Sequence, residues 1–253
     1  MITIASQFFD QVLNYLKGFR SYKFSKMFSD WNTFEILWLF SSVIILFLIS
    51  YYTADSYLFL TLTATVTGII NMILIAKGKV INYLFAFVNN SLYAYICYLD
   101  GIYGQALLFG CFFFPMQFYG LYCWTKPNNI SEDSNIITKS LSWTQKSILS
   151  LIIIVTSAVY GYFILNKYFG QETGLIADSI TGVVSVAAFF LMVKAYVEQW
   201  ALWIVINSLA TIIWLEQYLY GSDSGGIAFL VMWLIYLINA IYGYINWKKL
   251  SIK

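Results

Sequence analysis

A pattern occurs twice in this chain. Thr67-Gly68, Asn90-Ser91-Leu92, Tyr119-Gly120, Trp124 and Lys126 return as Thr181-Gly182, Asn207-Ser208-Leu209, Tyr242-Gly243, Trp247 and Lys249, at an offset that drifts from 114 to 123 residues. Each copy reads as three apolar helices, so any fold must accommodate two like triplets in tandem. Many membrane proteins that move solutes place their substrate site at a repeat interface near the bilayer midplane. A transporter is therefore the first class the repeat implies.

Composition supports a membrane setting. The chain is 60% hydrophobic and 10% charged, with a mean hydropathy of +0.73; an ordinary soluble domain carries about 25% charged residues. The apolar residues fall into eight runs, 34–53, 57–76, 80–99, 104–124, 147–166, 175–193, 200–219 and 227–247. Runs of about 18 or more apolar residues predict transmembrane helices. A barrel strand would instead alternate polar and apolar residues. Placing the N-terminus in the cytoplasm puts thirteen of the fourteen basic residues inside, from Lys17, Arg20, Lys23 and Lys26 through Lys77, Lys79 and Lys126 to Lys248, Lys249 and Lys253, with Lys167 alone outside. The outer connections carry Asp55, Asp100, Glu172 and Asp223. This is a positive-inside pattern, and it predicts both termini on the cytoplasmic face of the membrane.

The expected organisation is an all-α membrane protein. Residues 1–33 predict a cytoplasmic amphipathic segment, with Ile4, Phe8 and Val12 on one apolar face ahead of the basic cluster. A transmembrane helix at 34–53 precedes the first triplet, 57–124. A polar cytoplasmic linker, 125–146, leads to a linker helix at 147–166, the second triplet at 175–247 and a tail at 248–253. Four helices separate equivalent elements, so the triplets run parallel and are related by an axis along the membrane normal. The plan is three-plus-one-plus-three with one helix added at the front.

Residues with recognition chemistry cluster in the middle helices. In the seventh run Trp200, Trp203, Asn207, Ala210 and Trp214 share one helical face by their spacings of three and four. Aromatic faces suit a flat ring, cationic ones included, and an amide at mid-depth suits hydrogen bonding to it. The competing use of Trp200 is as an interfacial belt residue, and of Asn207 as an interhelical hydrogen bond. The third run offers Asn82, Tyr83, Phe85, Asn89, Asn90 and Tyr93. The spacing of Asn82 to Asn89 equals that of Trp200 to Asn207, whereas Asn90-Ser91-Leu92 matches Asn207-Ser208-Leu209 one residue later; the two registers stay open. Gln117 and Asn239 precede the two Tyr-Gly pairs, whose glycines read as close-packing positions. Asn71, Thr181 and Ser185 are weaker candidates.

Several chemistries are excluded. The chain has no histidine and no phosphate-binding glycine loop, which argues against a hydrolase or ATPase. Cys97, Cys111 and Cys123 have no metal-ligand spacing. No cofactor is implied. The basic residues form no stripe for nucleic acid. No carboxylate lies at mid-membrane, since Asp178 and Glu216 sit toward the outer ends of their helices and Glu35 at an inner one. Ion coupling usually uses an intramembrane carboxylate, so an uncoupled facilitator is expected.

The segment from Tyr196 to Asn207 resembles the Trp-x-x-Trp-x-x-x-Asn signature of the PnuC family of bacterial vitamin transporters. Val80 to Asn89 is similar to the family's first-repeat segment, which favours Asn89 over Asn90, and Phe112-Phe113-Phe114 through Tyr119-Gly120 to Trp124 fits as well. The similarity spans roughly 55–126 and 175–249. It implies a fold like that of the SWEET sugar transporters and facilitated diffusion of nicotinamide riboside, with thiamine or riboflavin carried by relatives. It also implies a functional link to a cytoplasmic riboside kinase that traps the vitamin. The substrate-binding residues it implies are Trp200, Trp203, Asn207, Asn89 and Asn239. Gln117 stands where the family often has asparagine. The sequence leaves homo-oligomerisation open.

Overall fold

The structure, a computed structural model, describes residues 31–52, 58–99, 106, 108–126, 129, 135–167, 175–220 and 226–251. The expected amphipathic segment lies almost wholly outside these residues, as do the acidic outer connections and residues 127–128 and 130–134 of the polar linker. Eight helices are present among the described residues: α1 Thr33–Tyr52, α2 Leu58–Ala76, α3 Asn82–Leu99, α4, α5, α6 Leu175–Val193, α7 Glu198–Tyr220 and α8 Gly226–Leu250. Helix α4 opens as a π-helical segment, Leu108–Phe113, and continues as Phe114–Trp124. Helix α5 runs as α-helix over Trp143–Val159 and as π-helix over Tyr160–Asn166.

All eight predicted runs are helices, and local chemistry shapes α4 and α5. Helix α5 starts four residues before its apolar run because Ser142 and Gln145 form a reciprocal capping box, which satisfies amides the first turn leaves open. The wide turns of α4 end where Pro115 enters. A proline cannot donate to the carbonyl one turn back, so the helix cannot keep its ordinary bonding there.

The chain divides into two compact units, Met1–Ile136 and Ile137–Lys253. In the first, α1 packs on α2, α2 on α3 and α3 on α4; in the second, α5 packs on α6, α6 on α7 and α7 on α8. The helix expected as a linker thus belongs to the second unit and packs on its triplet as α1 packs on the first.

Lipid is the environment these helices fit. Phe59–Ala76, Trp143–Asn166 and Leu230–Leu250 are each long and apolar enough to cross a membrane. Along α5 Leu151, Ile152, Ile154, Val155 and Val159 are all exposed, Ile154 by 66%. An apolar surface that continuous marks an interaction or membrane face on a folded protein.

The α2–α3 and α6–α7 turns are built alike. Gly78 N donates to Ile75 O and Lys79 N to Leu74 O; Ala195 N donates to Met192 O and Tyr196 N to Leu191 O. Both are Schellman motifs, which need a left-handed residue just past the helix. Gly78 supplies it with φ 69° and Ala195 with φ 60°. Each turn is also held by residues that follow α4. Ile136 N donates to Gly78 O, Lys139 N donates to Ala195 O, and Val197 N returns a bond to Lys139 O.

Candidate functional site

In the second unit, α7 presents the Trp200, Trp203, Asn207 series. Trp200 is buried, not set at an interface as a belt residue. Its indole lies against Gly243 of α8, where an added Cβ would fall 2.5 Å from the ring, and it meets Trp247 edge-on at 5.8 Å and 84°. Its Nε1 has no hydrogen-bond partner among the described residues. One turn on, Trp203 is half-buried, with no ring contact among the described residues. Asn207 is buried. Its carbonyl accepts from Thr211 Oγ1 at 2.7 Å, while its side-chain amide has no partner among the described residues. Asn239 is buried on α8, and Trp233 and Tyr236 of the same helix meet edge-on at 5.8 Å. The side chains of Trp214, Asp178 and Glu216 lie outside the described residues.

The first unit repeats the aromatic frame with different residues. Tyr83 is fully buried, lies against Gly120 with an added Cβ falling 2.5 Å from its ring, and meets Trp124 edge-on at 5.3 Å and 86°. The repeated Tyr-Gly pairs and tryptophans are thus packing devices that seat one aromatic of the preceding helix, as the small-residue reading expected. Gln117 is buried on α4, and its Oε1 has no partner among the described residues. Around it α3 and α4 are rich in phenylalanine: Phe87 lies 4.5 Å from Phe118 and 5.6 Å from Phe114, and Tyr93 lies 4.4 Å from Phe109.

These contacts settle the register between α3 and α7. Gly78 and Ala195 share a turn position, and Tyr83 and Trp200 share a glycine-and-tryptophan seat, both at an offset of 117 residues. On that register Asn82 corresponds to Gln199 and Asn90 to Asn207, and all four are buried. Asn89 corresponds to Ile206 and is half-buried. Its Nδ2 donates to Ala64 O of α2 at 2.8 Å, and Gly68 leaves room for it: a Cβ there would fall 2.7 Å from Nδ2. Of the two adjacent amides, Asn89 is the one that joins helices.

Two features were not singled out from sequence. Gln199 is fully buried, and neither of its amide atoms has a partner among the described residues. Glu35 receives Lys77 Nζ at 2.8 Å on both carboxylate oxygens, 42 residues away in the chain, a distance over which no sequence spacing rule operates.

What the site residues share is neutrality. They offer rings and amides and no formal charge, which suits a flat heteroaromatic ring bearing hydroxyls or an amide. Two like helical units, apolar outer faces and such residues on the middle helices define a multi-pass membrane transporter. Comparison with known proteins narrows the class. The nicotinamide mononucleotide transporter family matches residues 58–249. The nicotinamide riboside transporter PnuC of Neisseria mucosa is 33% identical over 227 residues, 89% of this chain and 84% of its own. That of Haemophilus influenzae is 33% identical over 225 residues, 88% of this chain and 92% of its own. The crystal structure of the vitamin B3 transporter PnuC covers 90% of this chain and 95% of its own at 33% identity, with a TM-score of 0.74. The chain belongs to the PnuC family, a family of transporters and not of enzymes.

Proposed function

We propose that this protein takes up nicotinamide riboside across the bacterial inner membrane by facilitated diffusion. The observation that carries the reading is the identity of a third over nearly nine-tenths of the chain to transporters named for that vitamin. The residue chemistry agrees with it. Nicotinamide riboside is a cationic aromatic ring with a carboxamide and a sugar. Trp203 offers an aromatic ring, for stacking and cation–π attraction, and Asn207, Gln117 and Asn239 offer buried amides. Trp200 supports the site from behind, held by Gly243 and Trp247. Asn89 gives one Nδ2 hydrogen to Ala64 O and keeps its second N–H and its Oδ1.

The family's description names the mononucleotide, which differs by a phosphate. A phosphate dianion is ordinarily met by arginine, lysine or a helix N-terminus. The proposed residues supply no cation, and Lys77 is already engaged by Glu35. The riboside is therefore the favoured cargo. Thiamine, another cationic aromatic, and riboflavin are the remaining alternatives.

The architecture behind this function is two parallel triplets, α2–α4 and α6–α8, with α5 restoring chain direction between them and α1 added in front, all eight helices crossing the membrane. The distribution of lysines supports both termini in the cytoplasm. Net uptake follows the concentration gradient, kept steep by a cytoplasmic kinase that phosphorylates the vitamin. The test is titration of the purified protein with nicotinamide riboside, its mononucleotide, thiamine and riboflavin side by side. Tightest binding of the riboside supports the reading, and tightest binding of any other overturns the cargo.

A further inference from the structure

The two units use their lysines differently. In the first, Lys77 and Lys79 are buried, Lys77 Nζ is held by both Glu35 oxygens, and Lys126 lies half-buried over the Tyr122 ring at 4.5 Å. In the second, Lys139, Lys194, Lys248 and Lys249 are all exposed. Lys139, Lys248 and Lys249 have no ion-pair partner among the described residues.

Bonds to one short strip of chain gather these four. Lys139 N donates to Ala195 O, next to Lys194. The preceding Thr138 donates through Oγ1 to Trp247 O at 3.0 Å, next to Lys248 and Lys249. Glu198 also meets the strip, accepting from Leu141 N at 3.1 Å, but its charge is answered by Lys146 Nζ at 3.0 Å. A cluster of like charges repels itself and creates a field that draws an anion.

The neighbouring surface identifies the anion. Trp143, which opens α5, is 84% exposed, and Lys146 Nζ lies 5.1 Å from its ring centre. Exposed Ile148, Leu151, Ile152 and Val155 continue from it along one face of α5. Tryptophan is enriched where a bilayer meets water. Ammonium groups followed by an interfacial ring and an apolar face match a phosphate headgroup followed by acyl chains, whereas an acidic soluble partner would leave the apolar face unused.

Resting on the membrane placement proposed above, we propose that the cytoplasmic end of the second unit binds an anionic phospholipid. The phosphate lies among Lys139, Lys194, Lys248 and Lys249, Trp143 sits at headgroup level, and the acyl chains follow the apolar face of α5. Basic clusters at the cytoplasmic ends of membrane helices recognise anionic headgroups in this way. Among its described residues the first unit has no equivalent cluster, so the site belongs to one unit of the pair.

Native mass spectrometry of the purified protein in detergent, with phosphatidylglycerol and phosphatidylcholine added in equal amounts, makes the measurement. The unsubstituted protein should retain phosphatidylglycerol in preference. Each lysine removed should lower that preference by up to roughly fivefold, so the triple variant Lys139→Gln, Lys248→Gln, Lys249→Gln should lose it. Arginine at the same three positions should keep it, and Lys126→Gln in the first unit should leave it unchanged. The single variants Lys139→Gln and Lys249→Gln repeat the test with one charge removed, should the triple variant fold poorly. Equal retention of the two lipids by the unsubstituted protein overturns the inference. So does a preference that survives every glutamine variant, one that is lost with arginine, or one that falls as far in Lys126→Gln. Displacement of the lipid by an equal concentration of soluble glycerol phosphate also overturns it, assigning the cluster to a free anion. Nicotinamide riboside binding by the triple variant should match that of the unsubstituted protein. Failure of the unsubstituted protein to bind the riboside overturns the cargo reading alone, and its recovery in the aqueous fraction without detergent overturns the membrane placement.

Discussion

The two units solve one mechanical problem with opposite chemistry. Each must fix the start of its leading helix to the turn between the first two helices of its triplet. In the first unit Asn32 and Glu35 cap α1 reciprocally, at 2.7 and 2.9 Å, and Glu35 binds Lys77 just past the end of α2 with side chains only 2% and 7% exposed. In the second unit Ser142 and Gln145 cap α5, and Lys146 binds Glu198 at the start of α7, 39% and 15% exposed. The acid sits on the leading helix in one case and on the triplet in the other. Sequence similarity between the units could not reveal this correspondence, because the acid and the base of the ion pair exchange helices between the units. Geometry was retained while the residues changed.

The comparison can be broken most directly at the buried pair. Removing one partner of a buried, hydrogen-bonded ion pair leaves a charge stranded and costs about 3–5 kcal/mol. Lys77→Met and Glu35→Leu should each lower stability by that order, and the double substitution should recover much of it. A double variant no better than the singles would show that the two residues act separately. Lys146→Met, in contrast, removes a half-exposed pair and should cost about 0–1 kcal/mol.

The glycine seats come next. Gly120→Ala and Gly243→Ala each place a methyl into a ring that is itself wedged against a tryptophan, and overpacking of this kind costs about 1–3 kcal/mol. Both should destabilise, and shrinking the ring, by Tyr83→Leu or Trp200→Leu, should relieve part of the clash in its own unit. Thermal melts in detergent would register this. Tolerance of alanine at either glycine would contradict the shared packing seat.

The smallest expected effect is at the turns. A left-handed residue other than glycine is strained by roughly 1–2 kcal/mol, part of which glycine forfeits through its freer unfolded chain. Ala195→Gly should therefore stabilise by up to about 1 kcal/mol, while Gly78→Ala should destabilise. Opposite signs at equivalent positions would confirm that the two Schellman turns are one device; the same sign would separate them.

Much of the helical plan was legible because the apolar runs are long and the turn and packing residues recur. The eight runs are eight helices, and Tyr119-Gly120 with Trp124 and Tyr242-Gly243 with Trp247 mark one contact used twice. What escaped is equally physical. The register of α3 against α7 hung on a single residue, and Asn89 and Asn90 differ only in what lies opposite them, which a linear pattern does not contain. Trp200 looked like half of a binding stripe or a belt residue until Gly243 and Trp247 appeared around it. Pairing of Glu35 with Lys77 depends on α1 packing at the end of α2, and no local spacing encodes that. That α5 packs on α6 as α1 packs on α2 was likewise not written in any local pattern.

The central claim, that a neutral set of rings and amides carries the vitamin without coupling to another solute, is tested most directly in proteoliposomes. Labelled nicotinamide riboside should enter until inner and outer concentrations match, and unlabelled riboside inside should speed its entry by exchange. At zero membrane voltage, a pH or sodium gradient should leave the end point unchanged, since a binding site that responds equally to both conformations shifts no equilibrium. Accumulation above equilibrium driven by either gradient would contradict the account.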